Sequence, residues 1–403
     1  MMEWKPTWRQ EEINYDGIGW ISNHTQRICI WNNLNADKIR IRFSNRWSSE
    51  RLILENVTIG IKKERSLSAE HVTDVTANGE KRIVIEPGQE LISDEICLPV
   101  YAGNWIAVST YLKEMQNPCG AIGFWNSTLL YVKDAEGCCI HQGDFASDVQ
   151  EKFFPSFYRK LPQTPQIVYG IHGIDVYTES HAKVITAFGD SITHIGNWLS
   201  PFTKTIYQRL PGKVSVLNCG IAGNCMCMDH PTGDKLPCGG KLFGVAGVNR
   251  FEDSVYRDGR IDIVILLIGT NDLLYPFVMP VKLKEIDVQQ LIDGYEKIIS
   301  IAKKHGSILA QGLIPPFQTE DNQKSQKPFT WRNEINQWIL SESKADFIIP
   351  FCDVVCDDTK ERLRLECDSG DGVHPSLIGG RLMAELAERC FSVWLDNQLN
   401  KLL

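Results

Sequence analysis

The stretch 184–193, VITAFGDSIT, decides how the rest of the chain is read. Val184 to Phe188 form a short apolar run with β-branched residues, the composition of a strand buried in a sheet. Gly189 breaks the run, and Asp190 and Ser191 follow before any helical pattern begins. In an open α/β sheet, ligands and reacting groups gather at the carboxyl ends of strands. A serine just past a strand end is well placed to become an exposed nucleophile. The same Gly-Asp-Ser triplet also reads as a simple turn, with Ser191 starting the next helix. The two readings are separated only by what the chain offers elsewhere.

Toward the C-terminus, strand-like and helix-like segments alternate. Strands are expected at Val184–Phe188, Val214–Leu217, Ile261–Ile268, Ser307–Leu313 and Asp346–Pro350. The run IDIVILLIG (261–269) is almost continuously apolar, as suits a strand covered on both faces. Over 286–304, Val288, Leu291, Ile292, Tyr295, Ile298, Ile299 and Ala302 recur at helical spacing, and Lys303, Lys304 and Gly306 mark the end. Helices are also expected over 331–342 and 376–397. Such alternation predicts a three-layer α/β/α, flavodoxin-like domain with a parallel sheet, over residues 179–403.

Toward the N-terminus the pattern is different. RICIW (27–31), KIRIRF (38–43), NVTIGI (56–61), KRIVIE (81–86) and WIAVSTYL (105–112) are β-leaning runs. They are separated by breaks such as Asn32-Asn33, Asn78-Gly79, Pro87-Gly88 and Ala102-Gly103-Asn104. KIRIRF alternates, with Ile39, Ile41 and Phe43 on one face and Arg40 and Arg42 on the other, the mark of a half-buried antiparallel strand. Residues 1–178 are therefore expected to form a β-sandwich, jelly-roll-like domain. Residues 141–178 show little periodicity and read as a bridge between the domains. Trp47 and Trp125 are candidates for stacking on sugars, although core or interdomain packing is the favoured reading.

The composition bounds the function. The 403 residues suggest about two domains, and 43% hydrophobic with 23% charged residues is a globular composition. A net charge of −8 without a basic stripe speaks against a nucleic-acid partner. No run nears the ~18 apolar residues that would read as a membrane span. The start, MMEWKPTWRQEE, lacks the apolar core of a signal peptide. The 13 cysteines follow no repeating spacing. Reduced thiols and a cytoplasmic location are the resulting expectations.

Four polar clusters lie at or just past the expected strand ends: Gly189-Asp190-Ser191, NCGIAGN (218–224), GTND (269–272) and DSGDGVHPS (368–376). In order and spacing they resemble the blocks of the SGNH (GDSL-type) hydrolase family. Ser191 in GDSI matches the nucleophile block, Gly223 the glycine block and Asn271 the asparagine block. Asp371 and His374 in DGVH match the last block, which supplies the acid and base. Residues 1–178 more loosely resemble the β-rich domain that precedes the hydrolase domain in one bacterial branch.

The resemblance implies a serine-dependent carboxylic-ester hydrolase, and the residue types suit that chemistry. A serine hydroxyl is a weak nucleophile until an imidazole takes its proton, the part expected of His374. Asp371 can orient that imidazole and stabilise its charged form, with Gly372 permitting the turn between them. By the resemblance, the oxyanion donors are the N–H groups of Ser191 and Gly223 and the side-chain amide of Asn271. Asn271 is read at a strand end, Asp190 as fixing the turn, and His194 as a cleft-wall or surface residue. No metal or organic cofactor is required. Cys225, Cys227, His230 and Cys238 are zinc-binding residue types, but their spacing is not that of a zinc knuckle, and a variable loop beside Gly223 is the plainer reading. The expected partner is a small-molecule ester, with deacylation (deacetylation) of small carbohydrate or glycoside esters favoured. A lipase or lysophospholipase-type acyl hydrolase and an inactive carbohydrate-binding protein on a hydrolase fold are the alternatives. Substrate, acyl length, oligomeric state and the role of the β domain are not legible.

Overall fold

The computed structural model describes residues 1–62, 68–124, 138–142, 154–155, 166–229, 231–318 and 326–400. The chain divides into two compact units, residues 1–182 with 210–217 and residues 183–209 with 218–403.

The first unit is rich in antiparallel strands. In one sheet, Met2–Arg9, Ile171–Glu179, Ala36–Ser44 and Ile96–Val100 lie side by side, with Glu90–Ile92 also paired to Ala36–Ser44. In a second, Phe154–Pro155, Cys138–Gln142, His24–Trp31, Trp105–Leu112, Asn56–Lys62 and Ala69–Asp74 follow in that order. The strand pairings within both sheets are antiparallel among the described residues, which gives the sandwich-like region its character.

One expectation for this unit holds in part and another needs correction. KIRIRF is an antiparallel strand with Ile39, Ile41 and Phe43 fully covered and Lys38 and Arg40 partly exposed, but Arg42 on the charged face is buried. Asp175, opposite Arg40 on the neighbouring strand, lies 2.9 Å from Arg40 Nε and 2.7 Å from Arg42 Nη2. The charged face is thus satisfied by a buried carboxylate rather than by water. Nor is 141–178 featureless, since Ile171–Glu179 is a nine-residue central strand. Its alternation is hidden because the register shifts between Ile171 and Gly173, the irregularity of a β-bulge. Trp47 is half-buried, and its indole N–H donates to the Glu12 carbonyl at 3.4 Å, as a packing residue would. Trp125 lies outside the described residues.

Residues 183–349 hold a five-stranded sheet, of whose strands residues 214–217 are grouped with the first unit. Its strands are β1 (Lys183–Gly189), β2 (Val214–Gly220), β3 (Ile263–Leu267), β4 (Ile308–Gly312) and β5 (Phe347–Ile349). Their order is β2-β1-β3-β4-β5, and the pairings β1–β3, β3–β4 and β4–β5 are parallel. This is the flavodoxin-like order, whose switch point falls between the first and third strands. Every residue of β3 is buried, as the apolar run required.

Helices fill the connections: α1 (Ser191–His194), α2 (Leu199–Arg209), α3 (Gly247–Tyr256), α4 (Thr270–Val278), α5 (Val288–Lys304), α6 (Lys327–Ser341), α7 (Cys352–Val355) and α8 (Leu377–Asn400). They pack in two groups, α2 and α7 against α8, and α3 and α6 against α5. Two groups are what a parallel sheet needs to cover both faces. Local chemistry sets their ends. Asp287 caps α5 by accepting from Gln290 N–H, and the Gln290 side chain returns to the Asp287 N–H.

Candidate active site

The site begins where β1 ends. Asp190 caps α1, with its Oδ1 accepting the Ile192 N–H at 3.0 Å. That cap turns the chain sharply and makes Ser191 the first residue of the helix, partly exposed between a buried strand and a buried turn. Both readings of the triplet thus describe one geometry.

Asp371 and His374 come from the turn before α8. Asp368 Oδ1 accepts the N–H groups of Gly370 (2.8 Å) and Gly372 (3.0 Å), folding the turn from within. Gly372 has φ +72, a left-handed conformation that residues with a Cβ rarely adopt. Asp371 Oδ1 accepts the N–H of Val373 (2.9 Å) and of His374 (2.8 Å). Its Oδ2 lies 2.6 Å from His374 Nδ1, which donates to it, and the opposite ring nitrogen, Nε2, lies 2.7 Å from Ser191 Oγ. Asp371 and His374, three residues apart, therefore join the distant Ser191 in one hydrogen-bonded chain. Burial tends to raise the Asp371 pKa, but the imidazole and the two backbone N–H groups outweigh it and hold the carboxyl well below the usual carboxylate range.

Gly223 and Asn271 also meet. Gly223 has φ +79, and a Cβ there would lie 2.1 Å from the Phe243 ring and 2.6 Å from the Tyr275 hydroxyl. Only glycine fits this loop. Asn271 stands in the first turn of α4 rather than at a strand end, because β3 stops at Leu267 and Gly269 turns the chain into the helix. Its Nδ2 donates to the Asn224 carbonyl at 2.9 Å, one residue past Gly223. The loop is also tied to the end of β1, since Ile221 N–H donates to the Gly189 carbonyl at 3.1 Å.

Several residues have parts the sequence did not announce. His194 is fully buried, not at the surface, and its Nδ1 accepts the Ala222 N–H at 3.0 Å. The short helix α1 turns it inward against the loop that carries Gly223. Asp272, buried beside Asn271, accepts the N–H groups of Met226 (2.6 Å) and Cys227 (2.8 Å). Burial pushes its pKa up to about 6, with those N–H groups opposing the rise. Burial likewise pushes Asp190 up to about 7, against the Ile192 N–H and the His374 charge. Among the described residues, Asp190 Oδ2 has no hydrogen-bond partner, so this half of the carboxyl is desolvated without a protein donor. Nothing in a lone Asp or His codes for such burial.

The cysteine-rich loop that follows Gly223 is tied to Asp272 on α4 and to Gln290 on α5. Cys225 is buried and Cys227 Sγ donates to the Gln290 carbonyl at 3.3 Å. Burial, with the nearby Asp272 charge, pushes both thiols up and keeps them protonated. Cys238 stands apart in a kinked 3-10 turn, and His230 lies outside the described residues. Among the described residues, no group of three His, Cys, Asp or Glu side chains is placed to hold a metal ion. No helix among them is long and apolar enough to cross a membrane.

Residues 187–382 match the sequence model of the GDSL-like Lipase/Acylhydrolase family. This stretch of the chain is a GDSL-like hydrolase domain. Among solved structures, it is similar to a GDSL-like lipase from Bacteroides thetaiotaomicron at 16% identity, covering 52% of this chain and 88% of that one, with a TM-score of 0.38. It is also similar to a carbohydrate acetylesterase from Sinorhizobium meliloti at 16% identity, covering 52% of this chain and 99% of that one, again with a TM-score of 0.38. Among curated proteins, none matches the chain in sequence. The GDSL-like domain, an esterase or acylhydrolase by family, holds Ser191, Gly223, Asn271, Asp371 and His374 within its matched residues.

Proposed function

We propose that this protein removes short acyl groups, acetyl foremost, from hydroxyl-rich alcohols such as sugars, with Ser191 as nucleophile. In this reading His374 Nε2 takes the Ser191 proton as Oγ attacks the ester carbonyl. The carbonyl oxygen becomes an oxyanion facing the N–H groups of Ser191 and Gly223 and the Asn271 amide. The intermediate collapses, the imidazolium returns its proton to the leaving alcohol, and an acyl-Ser191 ester remains. Water, deprotonated by the same imidazole, then releases the acid and restores the serine. Asp371 keeps Nδ1 protonated and stabilises the imidazolium.

The observation that carries the reading is the unbroken chain Ser191 Oγ–His374 Nε2, 2.7 Å, and His374 Nδ1–Asp371 Oδ2, 2.6 Å. The choice of a polar alcohol is supported by a cavity of about 300 Å³ lined by Gln318, Arg362, Leu363, Leu365, Asp368 and Gly372. It adjoins the turn bearing His374, the group that protonates the leaving oxygen. Its amide, guanidinium and carboxylate offer both donors and acceptors for hydroxyls.

The test compares wild-type protein with Ser191→Ala on p-nitrophenyl acetate, p-nitrophenyl palmitate and acetylated xylo-oligosaccharides. Wild type is expected to cleave the first and third, and Ser191→Ala to lose at least ~10³-fold in kcat. Cleavage of the palmitate alone would favour the lipase reading and sink the sugar one. An inert wild type would favour a binding protein.

A further inference from the structure

Arg250 has no part in the chemistry just described, yet its guanidinium lies at the centre of the site's scaffold. It stands on α3 and is buried. Nη2 donates to the Gly189 carbonyl at 3.0 Å, two residues before Ser191. Nη1 donates to the Cys219 carbonyl at 3.0 Å and to Ser254 Oγ at 3.3 Å. Nε donates to Asn224 Oδ1 at 2.9 Å, one residue after Gly223. The guanidinium carbon sits 4.0 Å above the Phe188 ring, which the flat cation suits. Asn224 extends these links. Its Nδ2 donates to the carbonyls of Phe243 and Val245, each at 2.8 Å, and its own carbonyl receives the Asn271 amide.

We propose that Arg250, acting through Asn224, is a positioning residue that sets the spacing of the three oxyanion donors. The inference rests on the reading of Ser191, Gly223 and Asn271 given above. Each donor sits within two residues of a group that the pair holds, or, for Asn271, is itself bonded to Asn224. The guanidinium has a rigid fork of five N–H donors, so a single side chain fixes the ends of β1 and β2 and the loop at 221–224 in one plane. A lysine at 250 would keep the charge but not the fork. Oxyanion stabilisation depends on donors held at the place where charge develops, so loosening them lowers the rate more than it weakens substrate binding.

The test uses the full chain with Arg250→Lys, Arg250→Ala, Asn224→Ala and Ser191→Ala. On p-nitrophenyl acetate, Arg250→Lys is expected to lose roughly 10–100-fold in kcat with KM nearly unchanged, less than the ~10²–10³-fold that removing one oxyanion donor outright costs. Its affinity for phenylboronic acid, which forms a tetrahedral adduct on the serine, should fall in step with kcat. Millimolar guanidinium should restore part of the activity of Arg250→Ala, and ammonium should not. Amide hydrogen exchange over 221–224 should quicken in Arg250→Lys and in Asn224→Ala, which breaks the tie without deleting a buried charge. Wild-type kcat in Arg250→Lys, with Ser191→Ala inactive, overturns this inference alone. A lost kcat with unchanged exchange at 221–224 and undiminished boronate affinity overturns it too. Full turnover by Ser191→Ala removes the reading of the site and this inference with it.

Discussion

Asp190 carries an uncomfortable amount of buried charge for one residue. Its folded pKa, about 7, lies above the ordinary carboxylate value of 3.8, with burial the main cause. A carboxyl whose folded pKa is raised contributes stability that is fully present below about pH 4 and lost as pH climbs through about 7. Asn in its place keeps the cap acceptor and cannot ionise. Asp190→Asn is therefore expected to gain in thermal midpoint relative to wild type between pH 5 and pH 8, by up to a few kcal/mol in stability. A difference that stays constant across that range would contradict the uncompensated burial of Oδ2. At this scale the candidate residues Ser191, Gly223, Asn271, Asp371 and His374 were legible through the order of four short blocks that resemble one family, and from no single residue. Arg250 was not, since an arginine amid VNRFEDSV looks like any solvated position on a helix. The burial of His194, Asp190 and Asp272 was also hidden, because burial depends on what packs over a side chain and not on its own neighbours in sequence.

At the scale of elements, the five strands of the parallel sheet were readable to within about three residues, because a strand covered on both faces must be apolar throughout. Helices α5, α6 and α8 were readable too, α5 from its period and its end signals. Helices α2, α3 and α4 were missed. In α4, Pro276 and a polar first turn mask the pattern, and Asn271 consequently passed for the end of a strand. What holds α4 in place is partly another helix. Tyr295 on α5 donates its hydroxyl to the Ile268 carbonyl at 2.6 Å, just before α4 begins. Removing that hydroxyl leaves a buried carbonyl without its donor. Tyr295→Phe is expected to lower unfolding free energy by about 1–3 kcal/mol in urea titrations and to reduce kcat more than it changes KM. A variant as stable as wild type would show that water or another donor takes the place of the phenol.

At the scale of the whole molecule, the candidate site and the buried ionic group fall in different units. The candidate residues Ser191, Gly223, Asn271, Asp371 and His374 all fall in the second unit, whereas the buried Asp175 with Arg40 and Arg42 belongs to the first. Removing one partner of a buried ionic group strands the others. Asp175→Ala is thus expected to cost about 3 kcal/mol or more, read as a lower thermal midpoint. Below that midpoint its kcat on p-nitrophenyl acetate should stay within about twofold of wild type, since distant independent sites act additively. A large fall in kcat at full folding would tie catalysis to the first unit. By itself, the sequence determined the fold class of each part and, through the family resemblance, the candidate residues of the site, because hydrophobic period and short motifs are local properties of a chain. Only the tertiary structure decided that the hydroxyl of residue 191 lies within hydrogen-bond reach of the imidazole of residue 374, which charges are buried, and which neutral oxygens surround Arg250. Those facts depend on contacts between residues distant in sequence, and no local pattern encodes the distance between them.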